Sequence, residues 1–199
     1  MGEIYQFQPL TVKDRVTVVL YRLGIALSAV IIAIAAYVLL SPMRYQESIA
    51  LRFNVFLVVL YVAVGLSVFF IHLYVSAYHR LLKRLYYIAL ASLVVLFVLG
   101  RGDVLSVVAD KHYGAILLIP LSGCLGFVTA KEAFCFKLTE GYLIALSMPL
   151  YLVFIATGGM SLKGASYGLV LIALMLVIFT LRKVFMPIHY DIGDKSAYR

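Results

Sequence analysis

Residues 93–99 read LVVLFVL, seven large apolar side chains with nothing polar between them. A transmembrane β-strand turns one face to lipid and the other to a lumen, so its apolar residues alternate over about ten positions. An unbroken run is what a membrane-crossing helix uses, because inside hydrocarbon the backbone must satisfy its own polar groups. The same texture extends outward from this run. Of 199 residues, 64% are hydrophobic and 13% are charged, and the mean hydropathy is +1.05. A soluble domain averages roughly 45–50% apolar and about 25% charged residues. The composition therefore predicts an all-α integral membrane protein, a single domain over 1–199.

Six apolar spans are predicted, at about 23–40, 55–78, 85–100, 113–130, 142–157 and 164–181, separated by charges or helix breakers. Thr11 and Asp14 have capping-box spacing, so the first helix is expected to start ahead of its apolar span. Ser41-Pro42 should end it. Neither Gly nor Pro occurs between Gly65 and Gly100, a length that would make one helix of about 50 Å. The break is expected at YHRLLKRLYY, residues 78–87, where Arg80, Lys83 and Arg84 would be costly in hydrocarbon. Tyr74, Tyr78, Tyr86 and Tyr87 gather at the same interface, as aromatic belts do. With the N-terminus inside, 12 of the 17 Lys and Arg fall on one side and 5 on the other. That bias predicts a six-helix bundle with N and C termini cytoplasmic.

The net charge of +8 and pI of about 9.5 would suggest nucleic acid in a soluble protein. Here they follow from basic cytoplasmic loops, and no nucleic-acid partner is expected. Cys124 and Cys135 lack C-x-x-C spacing and are expected to be free thiols. The polar start MGEIYQFQPLTVKDR does not read as a cleaved leader. Met1-Gly2 opens like an acylation signal, but Gln6 stands where Ser or Thr is expected. Arg101-Gly102-Asp103 reads as a turn after the third span.

Candidate site residues concentrate around GCLGFVTAKEAFCFKLTEGY, residues 123–142. On a helix, Glu132 shares a face with Cys135, Phe136 and Thr139. Glu132 is a candidate for proton relay or for holding a polar ligand group, since intramembrane acids are costly and often functional. The plainer reading makes Lys131 and Glu132 solvated anchors at a helix end. Between these sits a third: Glu132 partly buried and paired with Lys131, or with Arg80 or Lys83. His72 reads as the only histidine well inside a span, with His79 about 10 Å further along the same face. A single axial ligand to haem or another pigment is one use for it, and a hydrogen bond to a neighbouring helix is another. Pro120 and Pro149 are candidate helix breaks beside the charged loop. Ser122, Gly123, Cys124 and Gly126 form a small-residue packing stretch. No H-E-x-x-H, G-x-S-x-G or Walker pattern occurs, and no metal site is expected.

The segment around Gly126 and Lys131, Glu132, Ala133, Phe134, Cys135 and Phe136 resembles a family of uncharacterised integral membrane proteins, domain of unknown function 2301, met mostly in cyanobacteria. The resemblance carries no activity, cofactor or catalytic residue. It implies a bacterial inner membrane, including the thylakoid membrane as a candidate. The leading expectation is a non-enzymatic accessory or assembly factor docking on larger membrane complexes, photosynthetic ones if the source is cyanobacterial. The alternatives are a small transporter or carrier of a weakly polar solute, with its site near Pro120, Glu132 and Pro149, and a pigment- or haem-binding protein using His72.

Overall fold

The structure is a computed structural model that describes residues 10–41 and 48–193. The N-terminal residues read for a leader or an acyl signal, and Pro42, lie outside them. The described residues form helices α1 (Val12–Leu40), α2 (Ser48–Phe70), α3 (Ser76–Gly100), α4 (Val104–Asp110), α5 (His112–Ile116), α6 (Ile119–Phe136), α7 (Thr139–Ala156), α8 (Leu162–Val184) and α9 (His189–Ile192), with no strand among them. Six stretches are long and apolar enough to cross a membrane: α1, α2 from Arg52, α3, Tyr113–Phe136 across α5 and α6, α7, and α8 from Lys163. The protein is an all-helical, multi-pass integral membrane protein, and lipid covers its outer faces.

Local chemistry sets the helix ends. Thr11 caps α1 reciprocally: its hydroxyl accepts from the Asp14 amide at 3.2 Å, and the Asp14 carboxylate accepts from the Thr11 amide at 2.9 Å. Arg101 and Gly102 turn with positive φ, and the Asp103 carboxylate then caps α4 through the Ser106 amide. The Arg-Gly-Asp triplet is thus a turn. Lys137 ends α6 in the left-handed region, which cuts the expected Glu132–Thr139 helical face short. Pro120 lies in the first turn of α6, where its missing amide costs nothing. It marks the break between α5 and α6 rather than a kink within a helix. Pro149 sits inside α7, which runs through it unbroken. The carbonyl of Ala145 forgoes its helical donor there, and Gly126 of α6 packs closely against Ala145.

One boundary differs from the sequence reading. Helix α2 stops at Phe70, the link covers residues 71–75, and YHRLLKRLYY lies inside α3. The link reads IHLYV, whose β-branched and aromatic residues lose rotamer freedom in a helix, whereas Leu, Lys and Arg propagate one. Arg80, Lys83 and Arg84 then occupy the first turns of α3 at the membrane boundary, where their stems can snorkel. Tyr86 leaves the aromatic belt: it is buried and donates to the Tyr61 carbonyl at 2.8 Å.

Packing runs in a closed ring from α1 to α2, α6, α7, α8 and back to α1, with α3 outside against α2 and α6. Close approach is required where α1 meets α2. A Cβ on Gly24 would lie 2.5 Å from the Ala63 carbonyl oxygen and the Ser67 hydroxyl. The basic end of the ring holds the start of α1, the α2–α3 link, the end of α6 and α9. The opposite end holds α4, α5 and the α7–α8 turn.

Candidate functional site

At the basic end, six polar side chains from four helices converge. Tyr21 and Arg22 come from the third turn of α1, Lys131 and Glu132 from the last turns of α6, Lys183 from the end of α8, and Asp191 from α9. Glu132 and Lys183 are fully buried, and Asp191 and Tyr21 nearly so. The Tyr21 hydroxyl donates to Glu132 Oε1 at 2.7 Å, and Lys131 Nζ meets the same oxygen at 2.6 Å. Lys183 bridges the two acids, pairing with Glu132 Oε2 and Asp191 Oδ1. Arg22 Nε donates to Asp191 Oδ2 at 2.7 Å.

Three cations face two anions here, leaving one positive charge to be absorbed. The α8 C-terminus takes up part of it. Arg22 donates to the carbonyls of Val184 at 3.0 Å and Pro187 at 3.1 Å, and also to that of Met186. These are carbonyls at and just past a helix end, where acceptors lack intrahelical donors and the dipole is negative. The Phe136 ring lies 4.0 Å from Lys183 Nζ, and the Tyr21 ring 5.7 Å from Lys131 Nζ. Removing one member of such a cluster strands its partners away from water. The arrangement ties α9 to the bundle.

A chamber occupies the other half of the ring. It has a volume of about 320 Å³ and is walled by α1, α2, α4, α6, α7 and α8. Its lining is apolar apart from Lys111, Ser122, Tyr151 and exposed backbone. Leu121, Ser122 and Leu125 follow Pro120, and Met148 and Tyr151 flank Pro149, so the two prolines bracket one wall. Glu132 does not line it, being about 10 Å beyond Leu125 along α6. The single site expected near Pro120, Glu132 and Pro149 is therefore two separate places.

The remaining candidates resolve as follows. Glu132 is neither a solvated anchor nor partly buried. Its ion-pair partners are Lys131 and, across the bundle, Lys183 rather than Arg80 or Lys83. His72 is not inside a span: it sits in the α2–α3 link, with Nε2 3.2 Å from the Thr17 hydroxyl and Nδ1 buried without a hydrogen-bond partner among the described residues. Burial, and after it the Lys131 charge, hold its pKa below the usual imidazole value. His79 belongs to α3, so the two do not share one helix face. Both line a small cavity of about 260 Å³ with Thr17 and Phe69. Cys124 is buried in the packing stretch, Cys135 is exposed, and both are free thiols. Arg22, Lys183 and Asp191 were not singled out from the sequence. Arg22 carried a usable signal, since a cation inside the apolar run VVLYRLGIAL needs a buried partner.

A family described as uncharacterised integral membrane proteins, DUF2301, matches residues 66–199. The chain belongs to the DUF2301 family. The match holds Lys131, Glu132, Lys183 and Asp191, while Tyr21 and Arg22 are supplied by α1, ahead of the DUF2301 region. An uncharacterised protein of Haemophilus influenzae is similar, 24% identical over 200 residues, covering all of this chain and 99% of the relative. No solved structure matches.

Proposed function

We propose that this protein is a non-enzymatic carrier of an apolar or weakly polar membrane solute, held in the chamber within the helix ring, in a bacterial inner membrane. The observation that carries the reading is the chamber itself. Its volume of about 320 Å³ lies at the lower end of the range for ligand pockets, roughly 300–1,000 Å³. It lies between the packed helices of the ring and is partly open to the outside. Both acids at the basic end are held by cations and lie away from the chamber, so they act on the fold and not on a bound solute. An inner membrane suits a helical bundle with a strong Lys and Arg bias.

Docking on a larger membrane complex is the second reading. Its support is the outlying position of α3, whose apolar residues Val94, Val98 and Leu99 are exposed. Lipid alone would also cover that face, so the chamber is the more specific feature. Saturable binding of a fluorescent apolar probe to the purified protein tests the carrier reading. Ala35 lines the chamber, and Ala35→Phe should abolish binding while leaving the melting temperature close to that of the parent. Non-saturable partitioning by the parent protein, together with stoichiometric co-purification of a membrane complex, would replace the carrier reading with the docking one.

A further inference from the structure

The chamber's polar groups narrow its ligand. Two of the three polar side chains in the lining are already committed: the Ser122 hydroxyl donates to the Ile119 carbonyl at 2.8 Å, and the Tyr151 hydroxyl to the Ala165 carbonyl at 2.8 Å. The third is Lys111, between α4 and α5, exposed and with no ion-pair partner among the described residues. It lies at the end opposite the ion cluster, near Gly158 and Met160 of the α7–α8 turn, which also line the chamber. The α2 wall runs from Phe53 to Val64, about 16 Å along the helix axis. The space thus runs deep along the helix axes and carries, at the end away from the ion cluster, a cation with no ion-pair partner among the described residues.

Resting on the carrier reading above, we infer that the ligand is a single-chain amphiphile with a carboxylate head, its chain in the chamber and its head on Lys111. A single chain fits a cavity at the small end of the ligand-pocket range. Lys111 is exposed, so an anion paired with its ammonium need not be stripped of solvent as it would be in the interior. A neutral head brings no charge for the Lys111 ammonium to pair with, and an ammonium head would be repelled.

The test is displacement of the fluorescent apolar probe from the purified full chain by dodecanoate, dodecanol and dodecylammonium, at a pH where the acid is ionised. Dodecanoate should displace it at about tenfold lower concentration than dodecanol, the order expected of one hydrogen bond to a charged group. Dodecylammonium should be the weakest. Lys111→Gln should bring the acid to the level of the alcohol without changing the alcohol, and Lys111→Arg should retain the preference. Lys111 is exposed, so neither change threatens the fold. Equal displacement by acid and alcohol in the parent, or an acid preference that survives Lys111→Gln, overturns the inference and leaves the carrier reading standing. Displacement by none of the three overturns both.

Discussion

Glu132 is fully buried and held by two ammonium groups and a phenol. Glu132→Gln keeps the side-chain shape but strands Lys131, whose ion-pair partner among the described residues is Glu132, while Lys183 keeps Asp191. The expected loss is about 3–5 kcal/mol of stability, the usual cost of breaking a buried pair, read from unfolding in detergent. The double variant with Lys131→Met should lose less than the sum of the two single changes, because it removes the stranded charge as well; a loss equal to that sum would mean that the pair is not coupled. His72 makes a separate forecast. Its native pKa is held below the usual imidazole value, chiefly by burial, whereas the unfolded chain takes up a proton near pH 6.5. Below that value the unfolded state binds more protons, so stability falls as pH drops from about 6.5 toward the lowered native value, and is unaffected above it. His72→Asn should flatten this acid limb of the melting curve, and an unchanged slope would exclude the assignment. The sequence marked Glu132 as unusual because an acid in an apolar run is unusual. It could not supply Lys183 or Asp191, which arrive from 51 and 59 positions later in the chain and become neighbours only through the packing of α8 and α9.

At the scale of helices, what was legible is what local chemistry decides. The Thr11–Asp14 capping box starts α1 as its spacing implied, and the Arg-Gly-Asp triplet turns between α3 and α4. What failed was reasoning from charge cost alone. YHRLLKRLYY looked like a break because its charges are expensive in hydrocarbon, yet a helix can begin outside the membrane and carry such residues in its first turns. The break fell instead where helix propensity is weak. Pro149 misled similarly, since a proline within a membrane helix removes one hydrogen bond without ending the helix. The α1–α2 crossing depends on Gly24, beside which the Ala63 carbonyl and the Ser67 hydroxyl leave no room for a Cβ. Gly24→Ala should cost roughly 1–3 kcal/mol through overpacking, although alanine is the better helix former. Gly100 meets no atom closer than 3.4 Å, so Gly100→Ala serves as the control and should be near neutral. A Gly24→Ala protein as stable as its parent would show that the two helices do not cross so tightly.

Across the whole molecule, composition was enough for six spans and an all-α bundle, because lipid as solvent leaves few other ways to satisfy a backbone. The closed order of helices around the chamber was not legible, since apolar helix faces in lipid carry little pattern to say which neighbour each one meets. Orientation rests on the charge bias. An even number of spans puts both chain ends on one side, and 12 of the 17 Lys and Arg fall on that side, so the basic end with its ion cluster should face the cytoplasm. The Lys111 end of the chamber would then lie away from it. Cys135, exposed near the basic end, is a built-in reporter, whereas Cys124 is buried. In intact cells a membrane-impermeant maleimide should leave Cys135 unmodified, and permeabilisation should make it react. A cysteine replacing Lys163, at the start of α8 on the opposite end, should react before permeabilisation. The reverse order would invert the protein, place the ion cluster outside and turn the Lys111 end of the chamber to the cytoplasm. Labelling of both before permeabilisation would instead contradict α7 as a crossing, because α7 alone separates the two positions.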